Sequence, residues 1–406
     1  MISQKKAIYS KDWIVVAVAF LVMLGFRGTT GSFGVFLKPI MAALRTTRGS
    51  TSGAMSIFMM LNGLVGIVAG WLTDRYGARV VIAGGAVLAF LGYTLAYQIS
   101  ALWELYLYFG IIVGTSMGAC FVPVNATVSK RFTDKRVLAV GITNSGVAIG
   151  QMTIPLLAAY SIDGLGWKPA FILMGGIILI ASLPAMIWLR SKPPGRSNAP
   201  AGNEATAALA QKMWTTGKVL RTVQFWMFII IGFVTATGFY FVLVHVVPYA
   251  TDMGITATSA ALILTVFNAG TVTAQILIWF LAKKIGSRFT IIIMLCLQAL
   301  ALFLLMEVGS FPMLIILVVV FGFGFGGSNT IRISMIPEVF GTRSGGEILG
   351  IISMAWAVGG VTGPILAGYI FDLSQSYSAA FLTAGILLAI GAASGFFLRV
   401  KEGMNY

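Results

Sequence analysis

The sequence predicts an all-α membrane protein: twelve transmembrane helices in two pseudo-symmetric six-helix bundles. Of its 406 residues, 58% are hydrophobic and only 10% are charged, whereas soluble proteins carry about 25% charged residues. Apolar stretches of about 20 residues, the length that crosses a bilayer as a helix, recur along the whole chain. Motifs of the first half also return in the second half. Together these features exclude a soluble globular fold.

The apolar stretches and the polar segment between them set the expected organisation. Residues 191–221 are polar and rich in Pro, Gly, Asn and Ala, and six spans lie on either side. We therefore predict an N-terminal bundle (1–190), a cytoplasmic linker (191–221) and a C-terminal bundle (222–406). The expected spans are 13–38, 50–73, 79–99, 103–129, 136–161, 167–190, 222–250, 257–282, 288–307, 311–337, 345–371 and 376–399.

The distribution of Lys and Arg predicts the orientation. If both termini are cytoplasmic, 21 of the 27 Lys and Arg residues lie inside, four lie outside and two lie within the membrane. This is the pattern of the positive-inside rule. The net charge of +15 then reflects topology and does not favour nucleic acid as a partner. We expect a multi-pass protein of the cell (inner) membrane, with no cleavable signal peptide before the first span.

Short motifs repeat at a nearly constant offset. GQMTIPLLAAYSID (150–163) matches GGVTGPILAGYIFD (359–372), and DRYGAR (74–79) matches KKIGSR (283–288), both at an offset of 209. Gly114 and Gly118 match Gly322 and Gly326 at an offset of 208. Two parallel six-helix repeats predict a substrate site near the midplane, between the halves.

One motif resembles a known family. Residues 70–79, GWLTDRYGAR, carry the G-x-L-x-D-R-x-G-x-R signature of the major facilitator superfamily. The resemblance implies that Asp74, Arg75 and Arg79 form a cytoplasmic charge latch between the halves, with Gly77 allowing the tight turn. In the second half Lys283 replaces the acid of the signature, so we expect a one-sided latch.

Three further stretches resemble the monocarboxylate-porter branch, which includes oxalate–formate exchangers: SFGVFLKPI (32–40), YFGIIVGTSMG (108–118) and HVVPYATDMGIT (245–256). The sequence departs from the branch where its members often carry charged residues in the eighth and eleventh helices. Thr271, Gln275 and Trp356 occupy those places. The customary anion-binding cations are therefore absent.

Two arginines lie inside apolar runs, Arg27 in 13–40 and Arg332 in 311–337. An arginine at the bilayer centre costs about 2.5–3.5 kcal/mol on insertion scales, so such residues usually serve function. A guanidinium fork suits a carboxylate, and we expect both arginines to bind an anion. Gly31 and Gly34, on the helical face of Arg27, are expected to leave space beside it. The alternatives are backbone binding or snorkelling for Arg27, and snorkelling or pairing with Glu338 for Arg332.

Polar and aromatic residues within the spans complete the predicted site. All twelve acids fall at loops or helix ends, which argues against a cation as substrate. The single histidine could carry a coupling proton or serve packing, and the amides could bridge helices instead of binding substrate. The residues that we expect to join Arg27 and Arg332 are Asn125, His245, Tyr249, Gln275, Asn329 and Trp356.

These features predict secondary transport of a small, monocarboxylate-like organic anion by alternating access. The expected partners are the carboxylate, protons and the lipid bilayer, and the protein is expected to act as a monomer. We expect no cofactor, metal or enzymatic activity, because no Walker motif or His-rich centre occurs. Two alternatives stay open: efflux of a hydrophobic drug or metabolite, and a non-transporting membrane receptor. The sequence does not distinguish symport, exchange and uniport, nor does it identify the substrate or the direction of transport.

Overall fold

Long helices follow one another through the computed structural model, which describes residues 2–132, 136–189, 220–340 and 345–398. The linker predicted at 191–221 lies outside the described residues, except for its last two. The helices are α1 (Ile2–Gly31), α2 (Phe33–Leu44), α3 (Arg48–Tyr76), α4 (Ala78–Ala96), α5 (Leu102–Leu105), a π-helical segment (Tyr106–Val113), α6 (Gly114–Arg131), α7 (Arg136–Leu165), α8 (Trp167–Trp188), α9 (Val223–Asp252), α10 (Ala257–Ile285), α11 (Ser287–Leu305), α12 (Phe311–Phe340), α13 (Gly345–Ser374) and α14 (Ser378–Gly395).

Every predicted span coincides with helix. The first span consists of α1 and α2, which meet at Ser32, and the fourth consists of α5, the π-helical segment and α6. Within the described residues, eleven helices are long and apolar enough to cross a membrane. The 29-residue helix α3 is not among the eleven, although it exceeds the roughly 20 residues that a span requires. The protein is a multi-pass membrane protein.

The helices pack as two related halves, α1–α8 and α9–α14. In the first half α1 packs on α7, α3 on α6 and α4 on α8; in the second half α9 packs on α13, α10 on α12 and α11 on α14. The halves meet where α3 packs on α13, α7 on α10 and α2 on α9. We call the face on which α1 begins and α14 ends the termini face. The other face, where α2 ends and α3 begins, is the opposite face.

The backbone repeats with the offset seen in the sequence. Every described residue with a positive φ belongs to a pair 209 positions apart: Arg45 with Gly254, Gly77 with Gly286, and Gly166 with Gln375. Gly77 (φ 86°) and Gly286 (φ 83°) each join the second helix of a half to the third. The turn predicted at Gly77 is therefore present, and its conformation is one that glycine adopts without steric cost.

The matched glycines are places where helices come close. A Cβ atom at Gly118 on α6 or at Gly326 on α12 would collide with a backbone carbonyl oxygen of α3 or α10. Gly150 and Gly359 meet α1 and α9 in the same way. Such contacts are the usual use of small residues between helices in lipid. The matched glycines therefore lie at equivalent helix crossings in the two halves.

Candidate functional site

Arg332 is a buried cation whose hydrogen bonds are incomplete. It lies on α12 and is 5% exposed. Its Nη2 donates to Asn329 Oδ1 at 2.9 Å, and its guanidinium carbon lies 5.3 Å from the centroid of the Trp356 ring. Nε and Nη1 are buried and have no acceptor among the described residues. Glu338, the alternative partner, is not among the residues whose side chains are described. Buried donors are rarely left without an acceptor.

Arg27 contributes a second cation from the other half. Its guanidinium carbon lies 4.9 Å from the centroid of the Phe121 ring. In the part of the chain that the structure describes, it forms no hydrogen bond or ion pair, so the predicted alternative of backbone binding is not seen there.

The glycines beside Arg27 do not leave open space. A Cβ atom at Gly31 would lie 3.2 Å from the Gln151 side chain, and one at Gly34 would lie 2.7 Å from the carbonyl oxygen of Val244. These glycines let the first span pack closely on α7 and α9. This corrects the expectation from the sequence, which considered one helix without its neighbours.

Aromatic side chains of the second half pack around Trp356, the ring that contacts Arg332. Phe239 and Phe325 stack with their centroids 4.3 Å apart. Trp356 packs against both of these rings and against Tyr240, at centroid distances of 6.2, 6.0 and 6.4 Å respectively. Tyr240 thus packs on Trp356, whose ring contacts the Arg332 guanidinium. Tyr240 was not predicted as a site residue, because nothing in the run FYF distinguishes it from aromatics that only pack.

Of the other predicted site residues, some contact Arg332 and others do not. Asn329 and Trp356 both contact Arg332. Asn125 on α6 donates to the carbonyl oxygen of Phe121 at 3.0 Å and accepts from Asn144 at 3.1 Å. Gln275 is exposed on α10.

Tyr249 and His245 lie towards the opposite face, away from Arg332. The Tyr249 hydroxyl donates to the carbonyl oxygen of Leu305 at 3.0 Å, and its ring packs edge-on against Tyr377. His245 is 1% exposed. Its Nε2 lies 3.0 Å from the Pro364 carbonyl oxygen and its Nδ1 lies 3.0 Å from the Tyr377 hydroxyl. A carbonyl can only accept, so Nε2 carries the proton and Nδ1 accepts from Tyr377.

Ion pairs join the halves around these residues. Arg48, at the start of α3, donates from Nη2 to Asp252 at 2.6 Å and from Nη1 to the Tyr377 hydroxyl at 2.5 Å. Lys38 also pairs with Asp252, at 2.6 Å. Burial raises the pKa of the Tyr377 hydroxyl, so this group stays protonated and can donate to His245. Each of these charges has a partner of opposite sign in the other half.

Two carboxylates that are related by the repeat join the halves at the opposite face. Asp372, at the end of α13, accepts from the backbone N–H groups of Arg48 and Gly49 at 2.9 and 2.8 Å. It therefore complements the positive N-terminal end of a helix from the other half. Asp163, its repeat counterpart at the end of α7, accepts from Thr258 at the start of α10 at 2.7 Å. Gly49 and Thr258 are also 209 positions apart.

A second pair of contacts follows the same symmetry. Ser56 on α3 donates to the carbonyl oxygen of Val361 at 2.6 Å, and Thr265 on α10 donates to that of Met152 at 2.6 Å. Donors and acceptors are both related by the offset of 209. Ser52 on α3 lies 3.3 Å from Nε2 of His245. We call these inter-half contacts the seam: Lys38, Arg48, Gly49, Ser52, Ser56, Met152, Asp163, His245, Asp252, Thr258, Thr265, Val361, Asp372 and Tyr377.

The termini face differs. The side chain of Asp74, the acid of the predicted latch, lies outside the described residues. Arg75 and Arg79 are exposed, and the Arg75 guanidinium carbon lies 5.5 Å from the centroids of both Trp71 and Tyr76. The ion pair of Asp12 with Arg131 lies within the first half. Among the described residues, no ion pair joins the halves at this face.

Comparison with known proteins agrees with this architecture. The model of the Major Facilitator Superfamily matches residues 15–256 and 230–404. Monocarboxylate transporter 13 of Rattus norvegicus is 28% identical over 386 residues, which cover 94% of this chain and 87% of that protein. Monocarboxylate transporter 2 of Homo sapiens is 26% identical over 416 residues, which cover 97% and 86%.

Solved structures share the fold at low sequence identity. A bacterial homolog of the human lysosomal transporter Spinster has a TM-score of 0.77 at 16% identity, covering 95% of this chain and 96% of that one. A D-xylose–proton symporter has a TM-score of 0.76 at 15% identity, covering 97% and 99%. The predicted all-α major facilitator fold and the predicted resemblance are both confirmed. The chain belongs to the Major Facilitator Superfamily.

Proposed function

We propose that the protein is a secondary transporter that moves a small organic anion between its two halves by alternating access. The observation that carries this proposal is the pair of arginines, one from each half, for which the described residues supply no acid. A carboxylate is the acceptor that the guanidinium fork fits best. The names of the monocarboxylate transporters to which the chain is similar support a carboxylate as the anion.

Arg27 and Arg332 would bind the anion, with Asn329, Trp356 and Tyr240 orienting the guanidinium groups and the substrate. Asn125, one turn beyond Phe121, and Gln275 on α10 would contact a substrate on its way to or from the arginines. His245 and Tyr249 would act on the seam, where they pack. Substrate binding favours the state in which both halves contact the substrate, because that state binds it more tightly than a state in which only one half does.

We assign the termini face to the cytoplasm of a cell (inner) membrane, from the distribution of Lys and Arg. The opposite face is then external, and the seam holds the protein closed to the outside. Opening to the outside requires the seam to break. The latch of Asp74, Arg75 and Arg79 would then join the halves at the cytoplasmic face, with Gly77 fixing the turn that presents it.

The test is uptake by purified protein in liposomes. The panel contains lactate, pyruvate, formate, oxalate, succinate and a lipophilic cation, each with and without a pH gradient. We expect saturable uptake of an acid. We expect the double variant Arg27→Gln/Arg332→Gln to lose it, because no charged donor then remains at the site. Lys168→Gln is the matched control. It removes a positive charge at the start of α8, on the opposite face and away from the arginines, and should transport normally.

Each contrary result has a definite meaning. Transport of the lipophilic cation without any acid flux would overturn the proposal in favour of efflux of a hydrophobic compound. Saturable acid binding without flux would indicate a receptor. Uptake that responds to the pH gradient identifies proton-linked transport, and uptake that requires an internal acid identifies exchange.

A further inference from the structure

A cavity of about 420 Å³ lies between the halves at the opposite face. Its walls come from α2 and the end of α7 in the first half, and from α9 and the start of α10 in the second. Its volume falls in the range of small-molecule sites, about 300–1,000 Å³. Most of the lining is apolar and includes Val35, Val247 and Pro248, whereas Lys38 and Asp163 are its charged members.

The repeat gives this cavity a counterpart on the other side of the seam, where α3 packs on α13. At the offset of 209, Ala257 in the cavity wall corresponds to Arg48, and Ile162 in the wall corresponds to Phe371. On the counterpart side, the Arg48 side chain is 6% exposed and its guanidinium carbon lies 3.6 Å from the centroid of the Phe371 ring. The cavity therefore lies beside a methyl group at the position where the other side has a packed arginine.

Asp163 offers a negative charge to a ligand in the cavity. It accepts one hydrogen bond, from Thr258 at 2.7 Å, whereas its counterpart Asp372 accepts two from backbone N–H groups. Asp163 is exposed, and it forms no ion pair within the part of the chain that the structure describes. The other charge in the lining, Lys38, pairs with Asp252 at 2.6 Å. The charged group of the lining that lacks a partner of opposite sign is therefore a carboxylate.

We propose that this cavity is a regulatory site for a small organic cation with an apolar body, an alkylguanidinium or alkylammonium compound. Its cationic group pairs with Asp163, and its body packs on the apolar walls around Ile162, Val247 and Pro248. The lining includes none of the residues of the proposed anion site, so this inference goes beyond the proposed function.

The position of the cavity between the halves gives the occupant an effect on the seam. Helices of both halves form the walls, so a bound cation contacts both halves only while the opposite face is closed. When that face opens, the walls separate and the cation loses part of its contacts. A ligand shifts an equilibrium towards the state that binds it more tightly. The bound cation therefore holds the seam closed, as Arg48 does on the counterpart side.

The experiment compares phenethylguanidinium with its neutral isostere γ-phenylbutyramide, by calorimetric titration of the purified protein in detergent. We expect the cation to bind about fivefold more tightly, which corresponds to about 1 kcal/mol, the upper end for an exposed ion pair. In Asp163→Asn both compounds should bind equally, because the amide oxygen still accepts from Thr258 but the charge is gone. The matched control is Glu104→Gln, which should keep the preference. Glu104 lies at the same face and accepts from Ser100 and Ala101 within the first half.

Ala257→Arg supplies the cation from the chain itself. We expect its side chain to fill the cavity as Arg48 fills the counterpart, so that phenethylguanidinium no longer binds, whereas Ala257→Ser should bind it normally. The state of the seam is followed with Thr265→Cys, in a background without Cys120 and Cys296, by a membrane-impermeant thiol reagent. Saturating phenethylguanidinium should lower this labelling at least about threefold, since a ratio of states changes tenfold per 1.4 kcal/mol.

Three results would overturn the proposal. Equal binding of the two compounds by the unmodified protein would show that the cavity does not select a cation. Binding of phenethylguanidinium that survives in both Asp163→Asn and Ala257→Arg would place the compound at another site. Binding that leaves the labelling of Thr265→Cys unchanged would remove the effect on the seam. Every one of these measurements is made without a transported acid, so failure of the proposed function would leave their outcome unchanged.

Discussion

Arg48 in the seam and Arg332 at the centre are buried to almost the same degree, 6% and 5% exposed. Arg48 has a carboxylate, a tyrosine hydroxyl and a ring face as partners, all from the other half. Arg332 has an amide and a ring face, and two of its nitrogens lack an acceptor among the described residues. Burial alone therefore does not reveal the role of an arginine in this fold. Arg48 joins helices through an acid of the other half, whereas the proposed anion site uses the arginine for which the described residues supply no acid.

The strongest test of this comparison replaces each arginine by glutamine. Arg332→Gln should lower saturable anion uptake at least about 100-fold, which corresponds to the roughly 3 kcal/mol at the upper end for a hydrogen bond to a charged group. Its midpoint of thermal unfolding in detergent should not fall, because an unpaired buried charge is removed. Arg48→Gln should lower that midpoint, because Tyr377 loses its charged donor and Asp252 loses one of its two cationic partners.

The comparison breaks if Arg332→Gln unfolds the protein at lower temperature than Arg48→Gln while uptake survives. Arg332 would then hold helices together through contacts with residues outside the described ranges. Uptake and the unfolding midpoint are measured on the same preparations.

A smaller effect is expected at Asp372, which bonds the backbone of α3 from the other half. Asp372→Asn keeps one acceptor oxygen but loses the charge that complements the helix end. We expect the opposite face to open more often. The reporter is Ser56→Cys in a background without Cys120 and Cys296, labelled by a membrane-impermeant thiol reagent. Labelling should rise at least about fivefold, since a ratio of states changes tenfold per 1.4 kcal/mol.

The control for Asp372 is Glu104→Gln. Glu104 also lies at the opposite face, but it accepts from Ser100 and Ala101 within the first half. Its replacement should leave the labelling of Ser56→Cys unchanged. Equal labelling in Asp372→Asn and Glu104→Gln would show that the carboxylate does not hold the seam.

His245 should make the seam sensitive to pH. Protonation of His245 places a hydrogen on Nδ1, which then can no longer accept from the Tyr377 hydroxyl. That hydroxyl already accepts from Arg48. The hydrogen bond from Nε2 to the Pro364 carbonyl oxygen is unchanged. Lowering the pH from 7.5 to 5.5 should therefore raise labelling of Ser56→Cys by about threefold, the worth of a neutral hydrogen bond. In His245→Gln the labelling should not depend on pH, and an unchanged dependence would assign it to other groups.

The smallest effect is expected at Asp163, the counterpart of Asp372. It accepts one bond from a threonine hydroxyl, where Asp372 accepts two from backbone N–H groups. With Thr265→Cys as the equivalent reporter, Asp163→Asn should raise labelling about twofold, near the lower limit for one hydrogen bond. If labelling rose more in Asp163→Asn than in Asp372→Asn, Asp163 and not Asp372 would be the carboxylate that holds the halves together more strongly.

The fold was predictable because a bilayer dictates the length and polarity of its helices. All twelve spans and the turn at Gly77 follow from local sequence, and the repeat was visible in matched glycines and acids. The break of the first span at Ser32 was not predicted, since 13–40 is apolar on both sides of it. Arg27 and Arg332 were singled out by the cost of an arginine in lipid, and the structure places two other predicted residues, Asn329 and Trp356, in contact with Arg332.

The seam could not be read from the sequence, because its partners are far apart along the chain. Arg48 meets Asp252 and Tyr377 only after helices of different halves have packed. Asp163 and Asp372 were recognised as a matched pair, but a repeat does not reveal which helix end each acid will meet. Tyr240 was missed for the same reason, since its neighbour Trp356 comes from another helix.

The repeat of the backbone also has a consequence for the polarity of the site. At the offsets of the two motifs, Arg27 corresponds to Ala236 and Arg332 corresponds to Val124, so neither arginine has an arginine as its counterpart. A symmetric frame thus holds unlike ends: a guanidinium on Phe121 in one half, and a guanidinium held by Asn329 and Trp356 in the other. In the proposed transport cycle, a substrate that passes from one arginine to the other would therefore meet two different surroundings.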